Sequence, residues 1–224
     1  MATLRLLSAH DEVGNIRTFV FETGGLTWLA GQYQTYILEQ VEGDEKAKKR
    51  FFTIAAAPSE NEIHISTRVS DSAFKQALNS LKPGDTIETR NLEGDFTWED
   101  SSDTPVVLVA GGIGVTPYRS MLLERHAAGK PLSCTLVHFN REEAIPFRTE
   151  FEQLAATHPE LKLVYIVGQP ITADAILAAS PDAATQLTYL SGPEPMVDAV
   201  GADLTKRGVN LKQDWFPGYD EQTY

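Results

Sequence analysis

Apolar and polar positions alternate over residues 16–21, 33–38, 51–54 and 63–69. A two-residue period sets one face of each segment against a core and the other toward solvent, which predicts β-strands. Asp11-Glu12-Val13-Gly14-Asn15 reads as a hairpin connection, and Leu81-Lys82-Pro83-Gly84-Asp85 as a turn before a further strand at 86–91. Only 73–79 carries helical spacing in this half, and many short strands with one helix predict an antiparallel β-barrel.

The pattern changes after the polar, acidic stretch 98–104. A buried strand at 106–110 is followed by alternating helices (117–128, 147–157, 172–179, 194–207) and strands (132–139, 161–167, 187–190, 209–215). This alternation predicts a parallel α/β sheet with helices on both faces, whose ligands sit beyond the carboxyl ends of the strands. The expected organisation is two domains, 1–102 and 103–224.

Composition adds exclusions. The 224 residues are 42% hydrophobic, enough for two ordinary cores, and the single cysteine cannot supply a disulfide or the four thiolates of an iron–sulfur cluster. Redox chemistry in this chain would need another carrier. A formal charge of -12 disfavours nucleic acid and anionic lipid. The longest apolar run, 105–115, is too short for a membrane span, so a cytoplasmic protein is expected. The five histidines show no metal-ligand spacing, and no metal site is expected.

Three segments carry candidate chemistry. Gly111-Gly112-Ile113-Gly114-Val115-Thr116-Pro117 stands where the first parallel strand turns into its helix. Glycines let a ligand approach the main chain, and Pro117 suits a first helical turn, leaving amides for an anion. The segment reads as a dinucleotide turn or as a tight turn without a ligand. Ser191-Gly192-Pro193-Glu194-Pro195-Met196 opens another helix at the same edge and would flank the same crevice, although alone it is an ordinary helix start. Arg50-Phe51-Phe52-Thr53 lies on a strand whose period puts Arg50, Phe52 and Ile54 on one face. An arginine there can hold a diphosphate and a ring can cover a heterocycle, or both can be structural.

Together these segments resemble the ferredoxin–NADP reductase superfamily, flavoproteins with an antiparallel flavin-binding barrel followed by a nicotinamide-binding domain. The resemblance implies that Arg50 contacts the flavin diphosphate, Phe52 (in place of the usual Tyr) packs on the flavin, and Thr53 bonds near flavin N5. It implies main-chain contacts from Thr67 and Val69 and phosphate contacts from Ser72, Ala73, Phe74 and Lys75. Gly111, Gly112, Gly114, Thr116 and Pro117 match the family's Gly-Gly-x-Gly-x-Thr-Pro turn. Gly192, Pro193 and Met196 match its Cys-Gly-Pro-x-x-Met turn, with Ser191 replacing the cysteine beside the nicotinamide. Asn140 and Arg141, after the second parallel strand, stand where the dinucleotide ribose is read and leave NADH or NADPH open.

The tail Trp215-Phe216-Pro217-Gly218-Tyr219 is aromatic, and the resemblance makes Tyr219 the first choice for covering the flavin, ahead of Trp215, Phe216 and Tyr224. Thr53, Ser191 and Tyr219 are thus the residues expected at the reacting rings. The implied activity is hydride transfer from NADPH or NADH to FAD, preferred over FMN, and then electron release to a ferredoxin or flavodoxin. An acidic carrier would need a local basic patch, for which Lys46, Lys48, Lys49 and Arg50 are candidates. Alternatives are a diaphorase-like or flavin reductase acting on small acceptors, and a non-catalytic electron-transfer or regulatory subunit.

Overall fold

The computed structural model describes residues 2–43, 45–99 and 104–216, excluding the Phe216 side chain. In the first half, β1 (Ala2–Val13), β2 (Ile16–Phe21), β3 (Tyr33–Ile37), β4 (Lys49–Thr53), β5 (Ile63–Arg68) and β6 (Thr86–Glu93) form one sheet in the order β4-β3-β6-β1-β2-β5. All of its pairings are antiparallel. The sheet curls until its edges β4 and β5 approach, and Ala55 N–H, just past β4, donates to the His64 carbonyl of β5 at 3.0 Å. The resulting half-barrel encloses Leu4, Leu6, Phe19, Phe21, Tyr36 and Phe52. One end is plugged by α1 (Ala73–Ser80), which Ser72 caps and which buries Phe74 and Leu78.

The strand β1 lies outside the sequence expectation. Leu4 and Leu6 alternate correctly, but Leu7 follows directly, at the register shift between Leu6 and Ser8 where β1 passes from the barrel wall into an exposed ribbon with β2. A bulge breaks the two-residue period that identifies a strand. The connection 11–15 is a hairpin whose loop is only Gly14-Asn15, with Gly14 at φ +56°.

The second half alternates as expected. Its strands are β7 (Val106–Gly111), β8 (Cys134–Asn140), β9 (Leu161–Val167), β10 (Leu187–Pro193) and β11 (Leu211–Phe216). Its helices are α2 (Thr116–Ala127), α3 (Arg148–Thr157), α4 (Ala173–Ala179) and α5 (Glu194–Lys206). The sheet is parallel in the order β11-β10-β7-β8-β9. Helices α2 and α3 cover one face through Tyr118, Leu122 and Phe151, and α4 and α5 cover the other through Ile176, Val197 and Leu204. The chain proceeds outward from β7 to β9, then returns to the opposite side of β7 for β10. That reversal opens a crevice between the carboxyl ends of β7 and β10.

The two halves share buried contacts. Phe96 packs edge-on to Tyr189 at 5.3 Å, Tyr189 donates its hydroxyl to the Thr97 carbonyl at 3.2 Å, and Trp98 lies under the Arg125 guanidinium at 4.3 Å. Phe96 and Trp98, which precede residue 103 in sequence, therefore pack in the core of the parallel-sheet half. Arg119 of α2 reaches back to the barrel, donating to the Ala55 carbonyl (2.8 Å) and to both Glu60 oxygens (2.9 and 3.0 Å), and it also meets Glu150 of α3. Ser120 adds a bond to the Ala56 carbonyl. Among the described residues no helix is long and apolar enough to cross a membrane.

Candidate functional site

Two cavities lie at the carboxyl ends of the paired strands β10 and β11. The first, of about 390 Å³, opens over the crevice and is lined by Gly112, Phe139, Asn140, Arg141, Pro193 and Met196, with Arg68 reaching in from the barrel. Its floor is two backbone turns in van der Waals contact. A Cβ on Gly114 would stand 2.5 Å from the Ser191 carbonyl oxygen and 2.7 Å from Gly192 Cα, and one on Gly192 would stand 2.3 Å from the Met196 methyl. Glycine is required here by close approach, and at Gly112 by a φ of +55°. Thr116 and Pro117 lie below the surface, where Thr116 Oγ1 donates to the Ile113 carbonyl at 3.2 Å and holds the turn to α2.

Asn140 shapes the rim. Its amide nitrogen donates to the Glu142 and Ala144 carbonyls at 2.6 and 2.9 Å, closing the loop that follows β8. Its Oδ1 has no partner among the described residues.

The second cavity, of about 280 Å³, lies between the barrel and β11, with Tyr33, Phe51, Thr53, Asp95, Asp214 and Trp215 among its walls. Phe51 and Trp215 are 45% and 49% exposed, unusual for large rings, and so present apolar faces to whatever enters. Thr53 Oγ1 is buried without a partner among the described residues. Register joins the cavities: Ser191 pairs with Asp214 and Gly192 with Trp215. Neighbouring strands lie about 4.8 Å apart, so the end of β10 forms a thin partition.

Ser191 is fully buried, with Asp214 as its register partner on β11. Burial pushes the Asp214 carboxyl up to about 7; the charge on Asp95 adds to the rise and the Ser191 hydroxyl opposes it. Above the ordinary carboxylate range and below pH 7, the folded chain therefore keeps a proton that the unfolded chain has released. This group's contribution to stability is complete below its unfolded value and is lost as pH rises through about 7. Asp214→Asn is expected to flatten that loss, as checked by denaturant midpoints at about pH 5 and about pH 8; an unchanged difference between the two would contradict it.

The remaining expected residues are dispersed around the barrel. Phe52 does not line either cavity; its ring is buried between Tyr36 and Phe74 at 5.9 and 6.0 Å. Phe51 lines the second cavity with Thr53, as the two-residue period of β4 requires once Phe52 points inward. Arg50 donates to the Lys46 and Lys49 carbonyls at 3.0 and 2.6 Å, and its guanidinium lies 5.6 Å from the centre of the buried Phe74 ring. Thr67 is buried on β5, and the Val69 N–H is taken by the Asn15 carbonyl at 2.8 Å. Ser72 accepts from the Lys75 N–H at 3.3 Å, Lys75 is buried, and Ala73 is exposed beside it. Tyr219 lies outside the described residues.

Sequence reasoning missed Tyr33, Asp95, Asp214 and Arg68. Asp214 is identified only by the pairing of β11 with β10, a long-range register that no local pattern encodes. Arg68 ends a barrel strand, and its place at the crevice depends on how the halves dock. Phe51 was missed as well, because the two-residue period separates Phe51 from Phe52 without stating which of the two faces the interior.

Residues 108–201 match the protein-family profile described as "Oxidoreductase NAD-binding domain". The chain is 30% identical over 224 residues to a flavohemoprotein of Pseudomonas putida, covering 93% of this chain and 56% of that protein. It is 35% identical over 143 residues to ferredoxin–NADP reductase B of Sorangium cellulosum, covering 62% of this chain and 54% of that one. The structure of ferredoxin–NADP+ reductase from Plasmodium falciparum superposes with a TM-score of 0.81 at 14% identity, covering 96% of this chain and 95% of the other. In sequence and in fold the chain is similar to the ferredoxin–NADP reductase superfamily. It spans about half the length of the curated relatives it matches. The antiparallel half-barrel followed by the parallel sheet matches the two-domain fold of those structures.

Proposed function

We propose that this chain is a flavin-dependent NAD(P)H oxidoreductase, binding FAD in the cavity between Phe51 and Trp215 and the nicotinamide dinucleotide over the 111–114 turn. The observation that carries this reading is the partition by β10: a cavity with apolar rings and an orphaned buried hydroxyl lies one strand away from a cavity floored by glycine turns. A flavohemoglobin of Malassezia yamatoensis is a superfamily structure with bound FAD. The residues here fit that group, since a planar ring system suits the Phe51 and Trp215 faces and a ring nitrogen suits the free Thr53 hydroxyl. In this reading the division near residue 103 separates the flavin half from the nicotinamide half.

A flavin held beside Phe51, Thr53 and Trp215 would supply hydride acceptance from the nicotinamide and electron release to an acceptor. The chain's own residues position and shield. Thr53 offers a hydroxyl to the ring edge, Ser191 and Gly192 set the spacing between the two sites, and the Gly112–Gly114 amides receive a diphosphate. Asn140, Arg141 and Arg68 rim the end of the crevice away from β11. Tyr219 is proposed as an additional cover for the flavin.

The acceptor reading turns on charge. Residues 39–50 hold four acids and four bases, and Lys48 and Lys49 pair with Glu39 and Glu45 at 3.0 and 2.8 Å. This loop is thus a weak attractor for an acidic ferredoxin or flavodoxin, which favours the second reading, reduction of a small acceptor. Two measurements test these statements. Flavin released from the purified protein is expected to be FAD, and FMN would contradict the cofactor assignment. Reduction of an acidic ferredoxin is expected to change less than threefold across the range where steered association falls steeply with salt; a steep fall would restore the ferredoxin reading.

A further inference from the structure

His138 of β8 lies beneath the glycine turn, fully buried, and takes no part in the chemistry described above. Its Nε2 is 2.9 Å from the Gly112 carbonyl oxygen. A carbonyl only accepts, so Nε2 carries the proton; Nδ1 is then a bare acceptor, with no partner among the described residues. The surroundings are apolar and aromatic: Ala110 and Tyr165 flank His138 in register, the Tyr165 ring is 6.3 Å away, and burial pushes the imidazole down to about 4. A phenylalanine would pack there without burying an unmatched acceptor. What histidine adds is a side-chain donor to the Gly112 carbonyl.

We propose that His138 is a positioning residue for the dinucleotide diphosphate, holding the Gly112 carbonyl toward the sheet and so turning the Ile113 N–H outward to the crevice. The peptide between Gly112 and Ile113 is trans, and its C=O and N–H point in opposite directions. A bond that fixes the carbonyl from below therefore fixes the amide above. Gly112, at φ +55°, is where this turn departs from ordinary backbone, so an external tether has most effect there. The Ile113 N–H stands in the first turn of a helix, where a backbone N–H has no intrahelical carbonyl to meet. The inference rests on the nicotinamide reading of the turn.

The test uses flavin-loaded protein and ADP-ribose, which carries the diphosphate without a reacting ring. His138→Phe keeps the shape and removes the donor, whereas His138→Gln restores an amide donor near the Nε2 position. His138→Phe is expected to bind ADP-ribose roughly tenfold more weakly, the scale of one lost hydrogen bond. His138→Gln should stay within about threefold of the parent, and the limiting rate at saturating nucleotide should change little in either variant. A purely structural role would move both variants alike and shift the limiting rate too. Equal weakening in both variants, or parent-like binding by His138→Phe, would overturn the proposal. If the unmodified protein binds neither ADP-ribose nor NADH nor NADPH, the reading of the turn itself fails, and the proposal with it.

Discussion

Replacing Gly114 by serine is expected to lower the limiting rate of nicotinamide-driven flavin reduction by about a hundredfold while FAD stays bound, the scale that follows from a misplacement of about 1 Å between reacting groups. The space beside Gly114 is occupied by backbone: the Ser191 carbonyl oxygen at 2.5 Å and the Gly192 Cα and nitrogen at 2.7 and 2.8 Å from a built Cβ. No rotamer change relieves such a contact, so the 111–114 turn and the end of β10 must separate. Because β10 is the partition between the cavities, that separation moves the nicotinamide site relative to the flavin site. The flavin cavity, lined mainly by β3, β4 and β11, is spared. Stopped-flow reduction at saturating NADH and NADPH, with flavin content as the control, checks this; a rate within threefold of the parent would contradict it.

The second large effect concerns how the halves are held. Arg119 is nearly buried and joins α2 to Glu60 of the barrel and Glu150 of α3, while its guanidinium lies 5.5 Å from the centre of the Phe147 ring. Burial alone would raise the Glu60 carboxyl, but two bonds from Arg119 and one from the Ala57 N–H outweigh it and hold the carboxyl below its ordinary value. At Glu150 burial prevails over Arg119, and the carboxyl is raised. Arg119→Met leaves two partly buried carboxylates unmatched and is expected to cost about 3–5 kcal/mol, the scale for breaking a buried pair by removing one partner. Denaturant unfolding measures this, and a loss below about 1 kcal/mol, typical of exposed pairs, would contradict it.

That clamp also has a pH signature. The depressed Glu60 contributes stability that is present above its unfolded value and is lost as pH falls through its folded one. The raised Glu150 acts in the opposite direction, gaining relative stability when protonated.

The glycine turns were legible in sequence because their chemistry is local: Gly112 needs a positive φ, Gly114 a missing Cβ, and both follow a run of buried apolar residues. The alternation of strands and helices after residue 105 was equally local. Long-range placement was not legible. The pairing of β11 with β10 brings Asp214 beside Ser191, and the docking of the halves brings Arg68 to the crevice and Phe96 into the second core. Arg50 illustrates a different limit, since its strand position was clear but its hydrogen bonds to Lys46 and Lys49 arise from a loop conformation that composition does not specify. Phe52 shows the ambiguity of a two-residue period, which separates two faces without stating which one is the interior.

The central claim is that nicotinamide and flavin sites face each other across the end of β10. Anaerobic titration of the FAD-loaded protein with NADH and, separately, NADPH tests it most directly. The account predicts full bleaching of the yellow flavin band at about one equivalent of the preferred nucleotide, since one hydride reduces one flavin. A band that remains oxidised with excess of both nucleotides would contradict it.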